Sequence, residues 1–278
     1  MIADRTLAGD LPVRVHYPAR SDGPLPVIVF SHGLGGSRLG YGFLAQAWAE
    51  REYCVVLPSH RENVPPLVAE IENPTVAELR AMKDAIGDPR NWPRRPLDVS
   101  RTVDALAGLH EQVGALRGRL DLQRIGIGGH SYGAYTALLC AGARVRIDGE
   151  SRTFAEPRAK AFLALSPPGN GSRGLSRESW NAVHAPLLCV TGTRDGGVLG
   201  EPPEWREDAF RALPPGDHGL LVLDGADHHT FSGGRPRFPA LPEHLAQTVA
   251  ATSWFWDKHL RGIEAPFPAL ASARVEWK

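Results

Sequence analysis

The chain has 278 residues, with Lys+Arg 31 balanced by Asp+Glu 31, so it carries no charge footprint for nucleic acid or an anionic membrane surface. Three cysteines, Cys54, Cys140 and Cys189, are too few and too scattered for a disulfide framework or a paired-cysteine metal site. The longest apolar run, Pro26 to Phe30, is too short to span a bilayer, and Met1 to Pro12 lacks the apolar stretch of a signal peptide. These features predict one globular domain over 1–278, buried free thiols and a cytoplasmic location.

Leu11 to Tyr17 alternates apolar and polar residues and predicts a half-exposed strand. Val27-Ile28-Val29-Phe30 predicts a strand buried on both faces. It runs into Ser31-His32-Gly33-Leu34-Gly35-Gly36, a glycine-rich loop at a strand end. Tyr41 to Arg51 predicts an amphipathic helix, and Cys54 to Leu57 another buried strand. Residues 59–96 are rich in proline, asparagine and charge, with one helical piece near Val76 to Ala85. That is too long for a simple connection and predicts a lid-like insertion. Its apolar residues Val64, Leu67, Val68 and Ile71, with Trp92, predict a wall over the site. Trp92 and His60 are the candidate substrate contacts. From Leu97 to Leu116, apolar residues recur at helical spacing and predict a crossover helix.

Ile125-Gly126-Ile127-Gly128-Gly129-His130-Ser131-Tyr132-Gly133-Ala134 follows. A β-branched run ends in glycines, a serine sits between Gly129 and Gly133, and a small-residue helix begins. This strand, sharp turn and helix is the nucleophile elbow. Further on, residues 144–158 read as a polar excursion or hairpin, and Ala161 to Leu165 as a buried strand. Pro186 to Val190 is a strand that empties into Thr191 to Asp195, Glu204 to Leu213 a short helix, and Gly219 to Leu223 the last strand. That strand empties into Asp224-Gly225-Ala226-Asp227-His228-His229, and His244 to Leu260 is a closing helix. Strands alternating with helices predict an α/β fold, a mainly parallel central sheet with helices on both faces and chemistry at the carboxyl ends of the strands.

A serine hydroxyl needs a base, and the base needs an orienting acid. Ser131, Asp195 and His228 follow the elbow and two later strand ends, in the order Ser, acid, His. Asp224 and Asp227 are rival acids but lie too near the histidine to come from a separate strand. His229 is the rival base, and neighbours in a loop usually point apart. The backbone N–H groups of Leu34 and Tyr132 are the expected oxyanion donors. Asp224, Asp227, His228 and His229 lack the ligand spacing of a zinc site. No metal and no cofactor are expected.

These motifs resemble the α/β-hydrolase superfamily over nearly the whole chain. A closer likeness is to dienelactone-hydrolase-like bacterial relatives of the platelet-activating-factor acetylhydrolases. Phe30 to Arg38 resembles that group's oxyanion loop, Gly129 to Ala134 its elbow, and Gly225 to Phe231 its histidine loop, where the first histidine of the pair matches the catalytic one. The eukaryotic acetylhydrolases place the acid where this chain has Ser166-Pro167, which favours Asp195. True dienelactone hydrolases use cysteine, so their substrate does not transfer. The resemblance implies a serine carboxylic-ester hydrolase that works through an acyl-enzyme on a small-molecule ester of small to medium acyl size; the balanced charge and short apolar runs add the expectation of no nucleic-acid partner and no membrane span. Alternatives are a cutinase-like polyester hydrolase, a phospholipid acyl hydrolase, or a non-catalytic binding protein on the same fold.

Overall fold

A run such as Val27-Ile28-Val29-Phe30 has no polar face to give to water, so it needs a sheet covered on both sides. The computed structural model, which describes residues 1–60, 75–197, 200–236 and 238–278, provides one. The chain runs β1 (Ile2–Leu7), β2 (Leu11–His16), β3 (Leu25–Ser31), α1 (Gly42–Glu50), β4 (Cys54–Pro58), α2 (Val76–Gly87), α3 (Arg94–Ala105), α4 (Leu109–Gln112) and β5 (Leu120–His130). It continues through α5 (Tyr132–Cys140), β6 (Val145–Ile147), β7 (Glu150–Arg152), β8 (Ala159–Leu165), β9 (Leu187–Arg194), α6 (Asp208–Ala212), β10 (His218–Asp227), α7 (Pro242–Trp256) and β11 (Ala273–Trp277). Among the described residues the main sheet has the order β1-β2-β4-β3-β5-β8-β9-β10-β11, and β6 and β7 form a separate hairpin. From β4 to β10 neighbouring strands are parallel, while β1, β2 and β11 pair antiparallel at the two edges.

Side chains alternate across each strand, and the core divides accordingly. Val27 and Val29 of β3, Cys54 and Val56 of β4 and Leu187 and Cys189 of β9 join the core that contains α3 and α5 residues. Ile28 and Phe30, Val55 and Leu57, and Leu188 and Val190 join the core that contains α1 and α7 residues. All three cysteines lie buried and free in the first of these layers. After β3 the chain moves outward to β4, then returns to place β5 on the other side of β3. The loops that leave β3 and β5 therefore open side by side at the carboxyl edge, where ligands bind in such sheets.

Several sequence expectations change. The crossover stretch is not one helix: α3 begins at Arg94 and ends at Ala105, and 3₁₀ turns at Leu106–Gly108 and Gly114–Leu116 flank the short α4. Leu97 is 54% exposed, so it belongs to the outer face, whereas Val99, Val103, Leu106 and Leu109 are buried. Because α3 starts at Arg94, residues 94–96 belong to the crossover and not to the insertion. β10 is not the last strand, since β11 returns antiparallel along it and lays Trp277 over Gly219. The edge strands β1 and β11 lack a long apolar run because each is partly exposed. The Glu204 to Leu213 helix divides into a 3₁₀ turn, Pro203–Glu207, and α6. Among the described residues no helix is long and apolar enough to cross a membrane.

Candidate active site

Ser131 stands between β5 and α5 with φ 57° and ψ −114°, outside the regions that L-residues populate easily. Its N–H donates to the Leu165 carbonyl at 2.9 Å, which pins the turn to β8. The flanking glycines are required by space: a Cβ on Gly129 would overlap the Gly133 carbonyl, and one on Gly133 would overlap the Ser31 carbonyl oxygen. β3, the elbow and α5 are thus packed backbone against backbone.

Ser131 Oγ lies 3.0 Å from His228 Nε2, and His228 Nδ1 lies 3.0 Å from Asp195 Oδ1. Asp195 is fully buried, and Thr191 Oγ1 donates to its second oxygen at 2.9 Å. Burial alone would raise the Asp195 pKa, but the hydrogen bond with His228 and the Arg206 charge bring it down to about 2. The acid is therefore ionised throughout the neutral range. Among the described residues His229 makes no hydrogen bond to Asp195 or Ser131; its ring stacks on Phe238 with centroids 4.7 Å apart. Asp224 accepts from Thr193 and Asp227 from the 228–230 turn, so neither rival acid is at the imidazole.

Arg206 was not legible as a site residue. It is buried, its Nε is 3.1 Å from Asp195 Oδ1, and it donates to the carbonyls of Ser166, Pro167 and Gly196 at 3.0–3.3 Å. Its Nη2 also lies 3.2 Å from His228 Nδ1. Nη2 donates to the Gly196 carbonyl and the His228 Nδ1 hydrogen points at Asp195, so that approach brings two donors together and is not a bond between them. Arg206 lies in a mixed polar run with no motif, so nothing in the sequence marks it.

On the other side of the elbow, the Gly33 N–H donates to Tyr41 Oη at 2.9 Å. Tyr41 Oη lies 2.8 Å from His130 Nδ1, and His130 Nε2 lies 3.0 Å from the His228 carbonyl. Burial holds His130 well below the usual imidazole range, so it is neutral, donating from Nε2 and accepting from Tyr41 at Nδ1. Gly33 is thus occupied, whereas the Leu34 N–H has no acceptor among the described residues. Leu34 and Tyr132 line one small cavity together, and Tyr132 opens α5, where backbone N–H groups point outward.

A larger cavity of about 390 Å³ reaches Ser131 and is lined by Trp92, Ile86, Tyr132, Trp205 and Arg173 among others. Trp92 is thus a wall residue, held by a 2.9 Å bond from its Nε1 to the Ile86 carbonyl. The expected wall residues Val64, Leu67, Val68 and Ile71 lie outside the described residues. His60 does not line this cavity. Its side chain is fully enclosed under the β3 loop, 2.8 Å from Ser31 Oγ and 3.1 Å from Asp98 Oδ2. The end of β4 turns it toward the neighbouring strand β3 instead of outward.

Comparisons with known proteins agree with this architecture. The family described as platelet-activating factor acetylhydrolase, isoform II, matches residues 5–83, a stretch that starts within β1 and includes β2, β3, β4 and the loop after β3. A solved structure described as a dienelactone hydrolase from Klebsiella pneumoniae is 17% identical with a TM-score of 0.68, covering 93% of this chain and 99% of that one. A ferulic acid esterase from Streptomyces cinnamoneus is 21% identical with a TM-score of 0.65, covering 95% of this chain and 88% of that one. The chain has the fold of these proteins, the α/β-hydrolase fold.

Proposed function

We propose that this chain is a serine carboxylic-ester hydrolase with Ser131, His228 and Asp195 as its triad. The observation that carries the reading is the hydrogen-bonded line from Ser131 Oγ through His228 to Asp195, built on a strained elbow beside a free Leu34 N–H. Ser131 Oγ bonds to the ester carbonyl carbon while His228 Nε2 takes the hydroxyl proton, and the carbonyl electrons move onto oxygen. The Leu34 and Tyr132 N–H groups stabilise that oxyanion. As it collapses, the carbon–oxygen bond to the alcohol breaks and His228 returns the proton to the leaving oxygen. Water then repeats the sequence on the acyl-enzyme, freeing the acid and Ser131. Asp195 holds the Nδ1–H tautomer and balances the imidazolium charge.

The matched family and the esterase among the structural neighbours support ester hydrolysis as the chemistry. The cavity at Ser131, about 390 Å³ and walled by Trp92, Trp205 and Tyr132, favours small to medium acyl groups over a long chain. The α2 and Trp92 portion of the insertion acts as one wall of that pocket. The test is hydrolysis of p-nitrophenyl acetate together with labelling by a fluorophosphonate probe. Ser131→Ala removes both in a protein that still folds; labelling at another residue with full activity would sink the assignment.

A further inference from the structure

A second Ser-His-Asp line lies behind the loop that carries Leu34, and nothing in the reaction uses it. Ser31 Oγ is 2.8 Å from His60 Nε2, and His60 Nδ1 is 3.1 Å from Asp98 Oδ2. The spacing repeats that of the triad, but Ser31 is fully buried and the His60 side chain has no exposed surface. Ser31 therefore cannot meet a substrate.

Burial raises the Asp98 pKa against the pull of Arg101; with Asp98 ionised, the hydrogens in this line have one consistent assignment. Burial keeps His60 neutral, since its pKa lies well below the usual range. Its Nδ1–H donates to Asp98, whose other oxygen is held by Arg101 at 3.3 Å, so Nε2 accepts the Ser31 hydroxyl proton. The His60 backbone N–H donates to His32 Nε2 at 3.2 Å, which places the His32 proton on Nδ1, 2.7 Å from the Gly33 carbonyl. Buried Arg95 donates to the carbonyls of His32 and Gly33. Ser31 itself is wedged: its carbonyl abuts Gly133 of the elbow, and its hydroxyl is tied to His60. The loop that carries Leu34 is thus fixed against both the end of β4 and the elbow. Buried polar arrays of this kind specify geometry more than they add stability.

We propose that Ser31, His60 and Asp98 are positioning residues that set the Leu34 N–H at the oxyanion site, acting on kcat and not on substrate affinity. The inference rests on the ester-hydrolase reading. It carries a distinguishing consequence. His228 must become charged during turnover and needs a carboxylate, whereas His60 never takes a proton and needs only a hydrogen-bond partner. The same substitution therefore has opposite effects in the two lines: Asp195→Asn is severe and Asp98→Asn is mild, because an amide still bonds a neutral imidazole.

The experiment measures kcat and KM on p-nitrophenyl acetate for Ser31→Ala, Asp98→Ala, Asp98→Asn and Asp195→Asn beside the unaltered protein and Ser131→Ala. It also records the Leu34 amide cross-peak in ¹H–¹⁵N spectra. Losing an oxyanion donor costs about 10²–10³ in kcat, so misplacing one predicts a fall of about 10–100-fold for Ser31→Ala and Asp98→Ala, with KM within about twofold and a displaced Leu34 peak. Asp98→Asn stays within about threefold of the unaltered protein, while Asp195→Asn falls far below it. An unchanged kcat, a change in KM alone, or an Asp98→Asn loss equal to that of Asp195→Asn overturns the proposal. If Asp98→Ala fails to fold, Ser31→Ala, which removes one oxygen, decides. Retained activity in Ser131→Ala would remove Ser131 as the nucleophile instead, and the array would then stand or fall on the Leu34 peak alone.

Discussion

Asp195 sits between two cations of different kinds, the permanent charge of Arg206 and the transient charge of His228. Asp195→Asn keeps the shape and removes the charge, so kcat is expected to fall by about 10²–10⁴ with the fold retained. A loss of under tenfold would show that another acid orients His228. Arg206→Met tests the other partner. It leaves a buried carboxylate without its guanidinium and strands four backbone carbonyls, those of Ser166, Pro167, Asp195 and Gly196, so unfolding free energy should drop by about 3–5 kcal/mol in urea titrations. An unchanged midpoint would mean that Thr191 and His228 suffice to hold Asp195. The sequence exposed the triad candidates because each follows a strand end. Arg206, Ser31 and Asp98 stayed hidden because their partners are far away in the chain and no local pattern relates them.

Among the elements, the elbow is the one with least freedom. Gly133→Ala would push a methyl group into the Ser31 carbonyl, so it should lower both stability and the rate of fluorophosphonate labelling, whereas Ala134→Gly should do little to labelling. Equal labelling in the two variants would show that α5 can shift away from β3. The helix α2 and Trp92 form a different kind of element, a wall attached at its ends. Trp92→Ala should widen the cavity and raise kcat/KM for longer acyl esters relative to acetate, and an unchanged ratio across the series would place the acyl group elsewhere. The buried parallel strands were legible from unbroken apolar runs. The edge strands and the end of the α3 helix were not, because an edge needs one apolar face only and a helix stop depends on what packs beyond it.

Across the whole molecule, histidines dominate the response to acid. Burial lowers His16 to about 4 and holds His32, His60 and His130 well below 6.5. In the unfolded chain these groups bind protons near pH 6.5, but in the folded chain only at lower pH. Below 6.5 the unfolded state therefore holds more protons, so stability is fully present above that value and declines as pH falls toward 4. The thermal midpoint should decrease steadily between pH 7 and 4.5, and a flat profile there would contradict neutral buried histidines. The sequence carried the architecture as a whole, since strand and helix periods alternate along it. It did not carry the coupling between loops, because the Gly33-Tyr41-His130-His228 line joins four elements through single hydrogen bonds.

The three cysteines on one side of the sheet turn that layer into a chemical clock. Burial raises Cys54 and Cys189 to about 12 and shifts Cys140 upward as well, so almost no thiolate exists in the closed protein. A thiol reagent then reacts only during excursions in which β4, α5 or β9 opens. If the layer opens as a unit, all three sites acquire label at one common rate. Staggered rates would instead rank the strands and the helix by how often each separates from its neighbours.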